Sequence, residues 1–233
     1  MTLVLVVRHG LTAATGTALS GRTPGISLDD RGQAQAAAIA ERLAPVRLDA
    51  IISSPLERCA QTAAAIAGKQ SECTDVTADD RLIEVGYGDW TGQSLRKLSR
   101  EPLWRVVQAH PSAVTFPGPG GENLPDIQRR SVTAIRDWNA RLGPEAVYLI
   151  CSHADVIKAI LADSLGLHLD LYQRIQIDPC SLSVIRYTPL RPFVERMNDT
   201  GGSVTSLIRK DKTTAGSPGL RPDDAPVGGG AGG

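Results

Sequence analysis

Arg8 and His9 stand side by side where the apolar run Leu3–Val7 ends. A guanidinium is a permanent cation with planar donors, and a neutral imidazole, with a free pKa of about 6.5, is a competent nucleophile near neutral pH. Two further apolar runs end in related chemistry. Leu48–Ser53 leads into Ser54, Pro55 and then Arg58, in the first turn of a predicted helix. Ala146–Cys151 leads into Ser152 and His153 just before another. A cation in a first helical turn faces the positive end of the macrodipole at a cost of about 0.3–1 kcal/mol, which an anion seated there offsets. Each feature alone has a structural reading: a strand-end pair, a satisfied core histidine, a solvated arginine. Together they converge on the carboxyl ends of strands, where open α/β sheets bind ligands, and describe a phosphate-sized anion pocket.

The elements that must position these residues alternate between strand and helix. Leu3–Val7 is a continuous β-rich run suited to burial on both faces. Asp29 or Asp30 caps a helix through Leu43, Leu48–Ser53 is a second strand, and Pro55 opens a helix to Ala67. Poor strand periodicity from about 69 to 121 predicts an inserted helical cap, with Trp104, Tyr87 and Arg96 placed at its entrance. A long helix over Leu124–Leu142, a strand over Ala146–Cys151 and a helix over Asp155–Leu165 follow, then strands at Ser181–Tyr187 and Phe193–Asn198. Glu122 is expected at the rim or as cap of the long helix. This order predicts an α/β/α sandwich around a mostly parallel sheet with one antiparallel edge strand. One domain over 1–207 and a disordered Gly/Pro-rich segment over 208–233 complete the reading.

Lys plus Arg and Asp plus Glu number 25 each, so no global charge calls for nucleic acid or an anionic membrane. No apolar run approaches the roughly 20 residues of a membrane helix, and the N-terminus reads as a strand rather than a signal peptide. Cys59, Cys73, Cys151 and Cys180 are scattered without metal spacing, as expected for reduced, buried thiols of a cytoplasmic protein. The four histidines form no HxH or HExxH pattern, so neither metal nor other cofactor is expected.

The ordered set "RHGLT", "SSPLERCAQTA", "LIEVGYGDWTG" and "SHADVIKAIL" resembles the histidine phosphatase superfamily in its phosphoglycerate mutase-like branch. The pattern is nearest to an actinobacterial subgroup of phosphomutases or phosphatases. That resemblance implies His9 as the phosphoryl-accepting nucleophile, Arg8 and Arg58 on the phosphate oxygens, and His153 donating to the same group. It implies Glu84 as the general acid toward the leaving oxygen and then the base toward water. It places Thr15, Ser20, Gly21 and Arg22 in a loop that contacts phosphate or substrate, and Ala154 where the family carries glycine. Asp155 follows as an added negative charge near the rim, disfavouring a highly anionic second substituent or binding a hydroxyl or amine.

The implied activity is metal-independent hydrolysis of a small-molecule phosphomonoester. A glycolytic-type mutase is the alternative, since such mutases carry a longer insertion with an "RHYG" string and an arginine pair for a second anion; neither occurs here. A non-catalytic phosphate-binding protein is a third reading, which has no use for Glu84. A homodimer through a sheet edge is compatible with such a fold.

Overall fold

The computed structural model describes residues 1–202, 204 and 205; the expected disorder at 208–233 lies outside them. Its six strands are β1 (Thr2–Arg8), β2 (Ala50–Ser53), β3 (Val76–Ala78), β4 (Val147–Ser152), β5 (Leu182–Tyr187) and β6 (Pro192–Asp199). They form one sheet in the order β3-β2-β4-β1-β5-β6. The first four are mutually parallel; β5 runs antiparallel to β1, and β6 returns beside it as a hairpin that ends the sheet.

Side chains alternate across the pleat, so each central strand feeds two cores. Val4, Val6, Ile52, Tyr148 and Ile150 face one side with α5 (Leu124–Leu142) and α6 (Ala154–Leu165). Leu5, Val7, Ile51, Leu149 and Cys151 face the other with α1 (Asp30–Leu43) and α2 (Glu57–Ala67). A fully buried Val, Leu or Ile contributes roughly 1.5–3 kcal/mol, so the two stripes hold the strand register rigidly. No helix among the described residues is long and apolar enough to cross a membrane.

Several boundaries differ from expectation for local reasons. Asp29 caps α1 by accepting from Gly32 N at 2.8 Å, whereas Pro55 precedes α2, whose N-cap is Leu56. Residues 76–78, expected within the helical insertion, instead add β3 to the sheet beside β2. Three residues are too few for periodicity to register. The rest of that region holds the short helices α3 (Leu95–Leu98) and α4 (Pro102–Ala109), with Trp90, Leu98 and Phe116 buried in the same core as α5 and α6. Asn123, not Glu122, caps α5, accepting from Asp126 N at 2.8 Å. Cys73 is half-buried rather than buried; the other three cysteines are buried, and all four are free.

Candidate active site

Strand register brings the chemistry to one rim. Arg8 lies opposite Ser152, and Ser53 opposite Cys151, so the chain leaves β1, β2 and β4 at the same edge. The segment after β1 is seated against the start of α1 by bare backbone. A Cβ on Gly10 would meet Gly32 O at 2.6 Å, and one on Gly32 would meet Leu11 O at 2.0 Å. Gly10 N donates to Thr62 Oγ1 at 3.2 Å, which anchors the same segment to α2.

His9 is 6% exposed, and its Nδ1 lies 2.7 Å from Gly10 O. A carbonyl can only accept, so Nδ1 carries the proton and Nε2 keeps its lone pair. Arg58, 2% exposed in the first turn of α2, donates through Nη2 to Gly21 O at 2.8 Å. Arg8 donates through Nη1 to Ile177 O at 2.7 Å. Arg58 Nη1 and Arg8 Nε are buried donors with no protein partner. Such orphans are costly unless a ligand completes them. Arg8 and Arg58 line a cavity of about 180 Å³ together with His9, Thr12, Thr15, Ser20, Gly21, Glu84, Tyr87, Ala154 and Asp155.

Several predicted residues are placed differently. His153 is fully buried and does not line the cavity; it stands behind it. Its Nδ1 is 3.3 Å from Arg58 Nη2, which can only donate, so Nε2 bears the proton and donates to Ser54 Oγ at 2.8 Å. Its ring meets that of His9 edge-on at 5.1 Å between centroids. His153 thus touches Arg58 and His9, and its Nδ1 lies 3.7 Å from Glu84 Oε2. Arg22 also leaves the cavity: Nε donates to Glu84 O at 2.8 Å and Nη2 pairs with Glu122 Oε2 at 2.6 Å. Of the three expected entrance residues only Tyr87 lines the cavity; Trp104 stacks on Trp90. Thr15 Oγ1 accepts from Thr12 N at 3.0 Å, so it braces the loop as well as lining it.

The Glu84 segment is held by residues whose role the sequence does not advertise. Glu122 Oε2 accepts from Gly86 N at 2.9 Å and from Arg130 Nη2 at 3.1 Å, while Arg130 also donates to Glu84 O at 3.2 Å. Arg130 sits in mid-helix on α5, where an arginine is ordinarily a solvated residue; only the eight-residue step back to Glu122 hints at a pair.

Burial pushes the Glu84 carboxyl up to about 7, with the Asp155 charge adding to the effect. Burial, then the charges of Arg58 and Arg8, brings His9 down to about 3. His153 is held well below its usual value by burial, then by His9 and the same arginines. Between about pH 4.5 and 6.5 the unfolded chain binds protons on both histidines that the fold excludes, and the fold keeps one on Glu84 that the unfolded chain releases. One proton net favours unfolding, so these groups remove about 1.4 kcal/mol of stability per unit as pH falls through that window. Urea melts at pH 6.5 and 5.0 check this: His9→Gln leaves one histidine against one carboxyl and is expected to flatten the slope.

The chain is similar in sequence and fold to known proteins. The model of the histidine phosphatase superfamily (branch 1) matches residues 4–200. Phosphoserine phosphatase 1 of Hydrogenobacter thermophilus is 30% identical over 206 residues, covering 86% of this chain and 93% of that protein. Glucosyl-3-phosphoglycerate phosphatase of Mycolicibacterium vanbaalenii is 31% identical over 175 residues, covering 72% and 76%. The structure of phosphoserine phosphatase from Entamoeba histolytica, solved with 3-phosphoglyceric acid, superposes with a TM-score of 0.75 at 22% identity, covering 89% of this chain and all of that one. With its ordered motifs, its sheet and the match over nearly all described residues, the chain belongs to the histidine phosphatase superfamily, branch 1.

Proposed function

We propose that this protein hydrolyses small-molecule phosphomonoesters through a phosphohistidine on His9. The observation that carries the reading is the convergence of His9, whose Nε2 keeps its lone pair, with the guanidinium groups of Arg8 and Arg58 in the lining of one small cavity. A phosphoryl group there has its oxygens on Arg8 and Arg58, which stabilise the charge spread over them in transfer. His9 Nε2 forms the P–N bond as the P–O bond to the alcohol breaks, and the departing oxygen takes the proton of Glu84. The carboxylate so formed removes a proton from water, whose oxygen attacks phosphorus and releases His9; inorganic phosphate leaves and Glu84 is protonated again. A carboxyl raised to about 7 suits both roles near neutral pH. Named relatives that are phosphatases support the same class of reaction.

The test is hydrolysis of an aryl phosphate in excess chelator, with acid-free quenching and mass spectrometry of the peptide that holds His9. Sustained turnover with a phosphoryl group on His9 is expected. Turnover that stops on chelation, or a label on another residue, overturns the mechanism.

A further inference from the structure

The cavity has a second wall whose chemistry is the reverse of the first. Tyr87 and Asp155 form it, and Tyr87 Oη donates to Asp155 Oδ2 at 2.9 Å. The other carboxylate oxygen, Oδ1, accepts from Lys158 Nζ at 3.2 Å. Lys158 reaches on to Gln173 Oε1 at 3.1 Å, lies 5.5 Å from the centre of the Tyr172 ring, and does not line the cavity. The Tyr87 proton is committed to Asp155, so this wall presents lone pairs: the phenol oxygen and a carboxylate, with Glu84 in the same lining. Thr12, Thr15 and Ser20 add hydroxyls without charge.

Cations are confined to the phosphate-binding part. Among the described residues, Arg8 and Arg58 alone supply positive charge to the lining. Each keeps one buried donor nitrogen without a protein partner. Arg22 and Arg130, the arginines nearest in the network, are turned to Glu122 and the Glu84 carbonyl.

Resting on the phosphatase reading above, we propose that Asp155 selects the substrate: the site takes phosphomonoesters whose alcohol half offers hydroxyl or ammonium donors and bears no second anionic group. The phosphate engages both guanidinium groups. A carboxylate or second phosphate on the alcohol would then share a cavity of about 180 Å³ with the Asp155 carboxylate, with no cation of the lining left to meet it. Like charges juxtaposed in a partly desolvated site are strongly disfavoured, whereas a donor on the alcohol fills lone pairs that the wall leaves open.

Three small alkyl phosphates of similar size test this: glycerol 1-phosphate, phosphoethanolamine and phosphoglycolate, with an aryl phosphate reporting hydrolysis itself. In the native protein kcat/KM for the better of the two donor-bearing esters is expected to exceed that for phosphoglycolate by about tenfold or more. Which of the two is better identifies hydroxyl or ammonium as the favoured donor. In Asp155→Asn the preference is expected to fall to within about threefold, partly through a gain on phosphoglycolate, which a merely structural defect would not produce. Asp155→Ser repeats the comparison should the first variant fold poorly, and the native panel stands without either. Phosphoglycolate turned over as well as both donor esters, or an unchanged ratio in the variants, overturns the selectivity while aryl phosphate hydrolysis persists. Absence of aryl phosphate hydrolysis in the native protein overturns the phosphatase reading and this inference with it.

Discussion

His9→Ala is expected to lower kcat/KM for every phosphomonoester by roughly 10³–10⁶-fold, because it removes the bond-forming atom rather than tuning its surroundings. The anion site itself should survive. Arg58 keeps its bond to Gly21 O and Arg8 its bond to Ile177 O, and neither depends on the imidazole. Inorganic phosphate should therefore still raise the melting temperature of His9→Ala, while Arg58→Ala should abolish that shift. The pairing of the two readouts separates loss of chemistry from loss of binding. Activity persisting in His9→Ala after purification free of wild-type protein would place the nucleophile elsewhere.

Glu84→Gln should divide substrates by leaving group. An alkoxide departs poorly and needs a proton in the transition state, so alkyl esters are expected to lose about 10²–10⁴-fold. An aryl oxide departs without that help, so the first step should continue; water then lacks its base, and the phosphoenzyme accumulates. Stopped-flow assays of the variant are expected to show a burst of one phenolate per enzyme followed by slow turnover. The sign of the pH dependence follows from the raised carboxyl. Glu84 is protonated below about 7, so alkyl ester cleavage should fall as pH rises through that value. In the variant this alkaline limb should disappear. A limb that persists belongs to another group.

Glu84 also shows where reading residues in order stops. Standing alone it reads as a solvated loop carboxylate, and only the motif suggested an acid. Its main chain is held by Arg22 and Arg130, which both donate to its carbonyl. Those arginines come from positions 62 residues before and 46 after, separations that no local pattern encodes. Glu122 is the same case, expected at the rim or as a cap and found binding Arg22, Arg130 and Gly86 N. His153 was legible as a site residue, yet its placement behind Arg58 depends on Ser54 across the β2–β4 pair.

Elements with strong periodicity were read to within a few residues, because continuous apolar strands and amphipathic helices state their own burial. The two final strands were also visible, though β3 was not. Three residues gain their strand identity from pairing with β2 rather than from their own pattern. By itself the sequence determined the α/β alternation, the family motifs, and the strand ends at which Arg8, His9, Arg58 and His153 would gather, since these follow from residue type and local spacing. Only the tertiary structure decided that His153 is fully buried against Arg58, that Arg22 bonds the Glu84 carbonyl, and that the hydrogen-bonded pair of Tyr87 and Asp155 shares a cavity lining with Arg8 and Arg58. Those outcomes depend on which distant side chains take up each donor and each charge, and that competition is settled only when the chain is folded.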